Sequence, residues 1–132
     1  MLPNKRREKT VVKTTTTYWN PLHASHADKW VEIEGTHGMI EQLFLAVDEE
    51  TGDFTRLTRF KAGADTSDFG PQVHDFPEEI FIISGQLHDQ TFDRLLESGD
   101  YASRPPGEVH GPFIAKTDCV VLDYSFPSQA LS

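Results

Sequence analysis

A chain of 132 residues and 14.9 kDa has the size of one ordinary domain. With 37% apolar residues and 14 aromatic side chains it is too apolar for intrinsic disorder, while its apolar runs fall far short of a membrane span. No secretory leader pattern is present, and the single Cys119 excludes a disulfide framework or a multi-cysteine zinc site, so a cytoplasmic protein is expected.

The net charge of −9 is unevenly spread, with +4 in residues 1–13 and −13 in the remainder. An acidic body repels phosphate backbones, which argues against nucleic acid as a partner. The basic start reads as a solvated tail that could reach an anionic partner or a second subunit.

In chain order, Thr10–Tyr18 (TVVKTTTTY) is β-branched and aromatic and predicts a first strand. Further strands are expected at Lys29–Ile33, Met39–Val47, Phe54–Phe60, Glu78–Ser84, Gln86–Phe92, Tyr101–Arg104 and Cys119–Phe126. Turn formers separate them, among them Glu50-Thr51-Gly52-Asp53, Ser84-Gly85, Ser98-Gly99-Asp100 and Pro105-Pro106-Gly107. No stretch keeps the apolar helical stripe that a βαβ unit needs. The expected class is all-β, an antiparallel sandwich or barrel. Residues 1–18 are read as a basic tail plus an edge or dimer strand, and residues 19–132 as a single domain.

Alternation assigns faces. In Cys119–Phe126, the bulkier set Val120, Leu122, Tyr124 and Phe126 is expected to face the core. In Glu78–Ser84, Glu78 shares a face with Ile80 and Ile82, which is an anomaly. Burying an unpaired carboxylate costs several kcal/mol, so Glu78 calls for a cation or a dense set of donors. Gln72 and His74 point the same way if their segment is extended. Glu78 and His110 could join them from neighbouring strands of a barrel. Two imidazoles and one carboxylate with open positions form the facial arrangement of non-haem iron oxygenases.

These spacings resemble the cupin superfamily. The first cupin motif is matched at His74, Glu78 and Gly85, with Gln72 at its leading histidine and Gly63 as the nearest counterpart of its first glycine. The second is matched at Gly99, Pro105, Gly107 and His110, with Ile114 where the family has asparagine. The phrases around Lys61-Ala62-Gly63-Ala64, Glu78-Glu79 and Arg104-Pro105-Pro106-Gly107 are most similar to anti-sigma factor cupin domains and to acetylacetone and dihydroxyacetophenone dioxygenases.

The resemblance implies a double-stranded β-helix, or jelly-roll barrel. It implies a divalent metal held by His74, Glu78 and His110 with Gln72 beside it. Fe(II) is favoured, and Zn, Mn or Ni are compatible with the same ligands. Through the metal these residues would be catalytic, in a dioxygenase cleaving a small diketone or hydroxyketone. A non-catalytic sensor domain and a metal-free scaffold are the alternatives. A small-molecule substrate and a homodimer are the implied partners, with no membrane. Gln72 could coordinate weakly or hold a metal-bound water.

Other residues carry weaker signals. Arg56, Arg59 and Arg104 are candidates for holding an anionic group in the barrel mouth, or are solvated strand residues. His88-Asp89 reads as a hydrogen-bonded pair or a proton shuttle. His23, His26 and His37 read as loop residues, Trp19 and Trp30 as core or dimer contacts, and Cys119 as a small apolar side chain.

Overall fold

The computed structural model describes Lys13 and residues 18–131. The strand expected over Thr10–Tyr18 lies outside the described residues, Lys13 and Tyr18 apart. Among the described residues there are nine strands. They are β1 (Val31–Glu32), β2 (Ile40–Val47), β3 (Phe54–Phe60), β4 (Glu78–Ser84), β5 (Gln86–Asp89), β6 (Arg94–Glu97), β7 (Tyr101–Arg104), β8 (Phe113–Ala115) and β9 (Cys119–Ser125). They build a six-stranded sheet ordered β1-β2-β3-β9-β4-β7 and a three-stranded sheet ordered β6-β5-β8. Every named pairing is antiparallel, as expected for a double-sheet barrel. No helix among the described residues is long and apolar enough to cross a membrane.

Turn chemistry sets the corners. Between β2 and β3, the Asp48 carboxylate accepts hydrogen bonds from the Glu50 and Thr51 amides at 2.9 and 3.3 Å, the capping an Asx turn provides. Gly85 carries the chain from the large sheet to the small one at φ +85°. A Cβ there would stand 1.9 Å from the Asp118 carbonyl oxygen, so only glycine fits.

Several strands match their sequence signals, and the differences have physical causes. The expected Lys29–Ile33 strand shrinks to β1, because Ala24–Lys29 winds into a 3-10 turn. Gln86–Phe92 ends at Asp89, where the chain turns into β6. Strand β6 carries little intrinsic strand signal, and β8 is only three residues long. Arg94–Glu97 is built of helix-favouring residues and is extended by pairing with β5.

In β9 the expected faces are reversed. Cys119, Val121, Asp123 and Ser125 are buried, while Val120, Leu122 and Tyr124 are half-buried. Both faces of the large sheet are covered. The inner core gathers Ile40, Phe60, Ile80, Ile82, Leu87, Cys119 and Val121. A second cluster of Trp30, Leu43 and Leu57 sits on the outer face, and Trp19, Val120 and Leu122 pack against it. The bulkier side chains of β9 therefore serve the outer layer, which an inside-or-outside rule does not anticipate.

Candidate metal centre

Strand register, rather than sequence proximity, assembles the site. Glu78 at the start of β4 lies directly opposite Arg104 in β7 and Ser125 in β9, so these three side chains share the inner face. The segment before β4 is tied to the one before β8 by backbone hydrogen bonds. The Gln72 amide donates to the His110 carbonyl at 2.7 Å, the His110 amide to the Gln72 carbonyl at 2.9 Å, and the Gly107 amide to the His74 carbonyl at 2.8 Å. An antiparallel bridge pairs Gln72 with His110. This staple brings the two motif segments together at one end of the barrel.

The imidazoles of His74 and His110 and the carboxylate of Glu78 each offer a ligand atom, and these atoms lie within 4.8 Å of one another. They face a cavity of about 330 Å³ between the sheets, whose wall includes Ile40, Phe60, Ile80, Phe113 and Val121. Gln72 lines the same cavity. Its amide nitrogen approaches the Phe69 and Gly70 carbonyls at 3.5 and 3.4 Å, which leaves the amide oxygen as the atom it could offer a cation.

The electrostatics of the triad follow from burial. Removal from water pushes the Glu78 carboxyl above its ordinary range, and the Asp123 carboxylate adds to the shift, while Arg104, His74 and Arg56 oppose it. His110 is pushed down to about 4, first by burial and then by the Arg104 and His74 charges. It is therefore neutral at physiological pH, and its Nε2, 3.8 Å from Glu78 Oε1, makes no ion pair. A neutral imidazole keeps a lone pair for a cation.

The residues present fit a divalent ion. The donor set is of the right kind, and Glu78 Oε2 receives only a 3.3 Å hydrogen bond from Ser125. His110 Nδ1 is buried without a hydrogen-bond partner among the described residues. Ligand atoms bonded at about 2.1 Å stand about 3 Å apart in a facial set, so only a small inward shift of the three tips is needed.

The arginine candidates separate cleanly. Arg56 lines the cavity, fully engaged: it donates to Asp123 at 3.1 and 2.8 Å and to Gln42 at 2.9 Å. Arg59 does not reach the mouth. It lies on the outer face, paired with Glu41 at 2.8 Å and stacked 4.1 Å over Trp30, because odd and even residues of β3 face opposite ways. Arg104 is buried in the cavity wall, not solvated.

The same alternation undoes the His88-Asp89 pair. His88 bonds Asp93 at 2.9 Å, while Asp89 points inward and accepts from the Thr91 and Gly111 amides. His23 accepts from the Ser25 amide, and His26 packs edge-on against Trp19, both away from the cavity. Cys119 is fully buried, and burial raises its thiol to about 11, so it acts as a packing group.

Asp123 and Asp89 are the site residues that sequence reasoning missed. Asp123 carries the signal that exposed Glu78: a carboxylate in line with the apolar residues Cys119 and Val121. Burial raises its carboxyl against the pull of Arg56. For Asp89 the interior position depends on a β5–β8 register that local sequence does not encode.

Among solved structures, an acetylacetone dioxygenase from Acinetobacter johnsonii is 17% identical, with a TM-score of 0.66 over 91% of this chain and 80% of its own. KdgF from Halomonas sp. is 20% identical, with a TM-score of 0.64 over 86% of this chain and 94% of its own. The Rhodobacter sphaeroides structure of SigE in complex with the anti-sigma ChrR gives 21% identity and a TM-score of 0.58, over 73% of this chain and 48% of that one. At these identities the likeness is one of fold. No curated protein matches the chain. Residues 7–128 match the family described as the ChrR cupin-like domain. That match takes in the β-sandwich, the triad and the cavity together, and the chain belongs to the ChrR cupin-like domain family.

Proposed function

We propose that the protein is a metal-dependent cupin enzyme. In this reading His74, Glu78 and His110 hold a divalent ion, Fe(II) by preference, with Gln72 beside it. The substrate is a small diketone or hydroxyketone, cleaved between carbons with dioxygen as oxidant. The observation that carries the reading is the convergence of two imidazoles and one carboxylate on a cavity with a mainly apolar wall. A bound divalent ion supplies Lewis-acid polarisation of a carbonyl, and a redox-active one supplies electron transfer to dioxygen.

The chain's own residues do the rest. Glu78 provides the negative charge that draws a cation into an apolar site. His110, held neutral, offers its lone pair without first losing a proton. The apolar wall of Ile40, Phe60 and Val121 excludes water and suits a hydrocarbon-bodied ligand. The volume of about 330 Å³ lies at the lower end for ligand pockets, in keeping with a small molecule. The fold likeness to an acetylacetone dioxygenase supports the choice of reaction class.

The test is elemental analysis of the purified protein, followed by oxygen uptake on adding β-diketones or hydroxyketones. Bound iron with ketone-dependent oxygen consumption is the expected result. Iron-loaded protein with no uptake across such a panel overturns the dioxygenase reading.

A second reading, a ligand-binding sensor domain, is favoured by the family match itself, whose description names ChrR. Zinc in place of iron, with ligand-dependent protection of the protein and no turnover, would support it. A homodimer in the cytoplasm completes the proposal. Its support is the exposed apolar side chains of Val31, Phe81 and Tyr101 on the large sheet. Light scattering at twice the chain mass is expected.

A further inference from the structure

The two cavity arginines differ in a way that the metal reading does not use. Arg56 makes hydrogen bonds to Asp123 and Gln42. Arg104 is buried to 4% exposure, with only Asp89, at 2%, deeper among the described charged groups, and its Nε is buried without a hydrogen-bond partner among the described residues. Its Nε stands 3.7 Å from Glu78 Oε1, and an Nη stands 3.5 Å from Asp89 Oδ2. These are charge contacts beyond good hydrogen-bond length. A buried guanidinium has five donors in a rigid fork, and leaving them unmade is costly.

The charge balance says what would complete it. The side chains that gather here are two guanidinium groups, Arg56 and Arg104, against three carboxyl groups, Glu78, Asp89 and Asp123, a formal balance of −1. That balance repels an anion and attracts a cation. A divalent ion at the triad turns it to about +1, in a low-dielectric setting where such a charge is felt strongly. A single negative charge then restores neutrality. Arg104 already borders the triad through Glu78, and Phe113 packs 5.6 Å from its guanidinium carbon.

We propose that the cavity binds a small, apolar-bodied monoanion with its charge on oxygen, a carboxylate or enolate, held by the Arg104 fork beside the metal position, so that metal and anion bind cooperatively. The inference rests on the metal reading above and adds to it the charge of the ligand, the residue that reads that charge, and a linkage. Coupling of this kind is reciprocal: the anion tightens the metal by the factor by which the metal tightens the anion.

Co(II) titrated into the metal-free full-length protein, followed by its visible absorption, tests this with isobutyrate as the probe anion and isobutyramide as its neutral counterpart. For the wild type, isobutyrate at constant ionic strength is expected to tighten Co(II) binding about tenfold, and isobutyramide to leave it unchanged. For Arg104→Gln, two effects of opposite sign are expected. Co(II) alone binds a few-fold tighter, because a nearby positive charge is gone, and the gain from isobutyrate falls below about twofold. A purely structural Arg104 would instead weaken both.

Should Arg104→Gln fail to fold, Arg104→Lys keeps the charge and loses the planar fork. There, Co(II) affinity like that of wild type with a several-fold smaller isobutyrate gain is expected. An isobutyrate gain undiminished in the variants would show that the anion sits on the metal alone and would overturn the role of Arg104. Co(II) uptake by wild type with no isobutyrate gain would overturn the monoanion itself, leaving the metal reading intact. A wild-type protein that takes up no Co(II) would overturn the metal reading and this inference together.

Discussion

Strands β4 and β9 run side by side, and their two ends could hardly differ more in chemistry. At one end Glu78 faces Ser125 across the pair, with Asp123 one inward position further along, and Arg104 and Arg56 beside them. At the other end Ile82 and Cys119, both fully buried, pack with Leu87, Ala64 and Ala115 into a dry plug. The backbone geometry is the same at both ends: alternate residues face inward. The lesson is that alternation selects which residues are interior, while the layer along the barrel axis decides whether interior means core or site. The plug is built for close packing. The open end carries buried charges, which cost stability unless they are paired or bound.

The plug can be broken most severely at Gly85. Gly85→Ala places a Cβ against the Asp118 carbonyl at a positive φ, and a loss of at least about 3 kcal/mol, or no folded protein, is expected in denaturant unfolding. Ile82→Ala empties fully buried volume in the plug, and a loss of about 3 kcal/mol is expected, with metal affinity unchanged within about threefold. A large fall in metal affinity in that variant would show that the two ends are not independent.

The open end is broken by His110→Ala. Metal content after dialysis is expected to fall at least about 100-fold in affinity terms, with the unfolding free energy of the metal-free protein shifted by less than about 1 kcal/mol. Gln72→His is expected to tighten metal binding about tenfold, because an imidazole replaces an amide oxygen on the cavity side of the Gln72–His110 bridge. Unchanged affinity would place Gln72 outside the ligand set.

The last effect, confined to alkaline pH, belongs to Cys119. The unfolded thiol loses its proton near its ordinary value, whereas the folded one holds it to about 11. Between about pH 9 and 11 the unfolded state therefore binds fewer protons, so stability falls as pH rises, by up to about 1.4 kcal/mol per pH unit. Cys119→Ala is expected to remove that slope, and the native thiol should resist a thiol reagent at pH 8.

Much of this was legible before any coordinates. Turn chemistry at Gly52, Gly85 and Gly99 and β-branched runs placed most of the large sheet. The misplaced carboxylate at Glu78 pointed to the site, and motif spacing joined it to His74 and His110. Strand β6 was not legible because Arg94–Glu97 favours helix and is extended by pairing with β5, and β8 was not because three residues, Phe113–Ala115, are too few to show an alternation. The inward face of β9 was misjudged because a second apolar layer around Trp30 competes for the bulky residues.

Local periodicity and chemical anomaly are properties of the chain itself, and they determined the all-β class and singled out Glu78, while the resemblance of the motif spacings to cupins set His74 and His110 beside it as candidate ligands. Which arginine borders them, and that Asp89 and Asp123 share their interior, was decided by cross-strand register. Register is settled by long-range pairing and by what each face must cover, and no window of neighbouring residues contains that information.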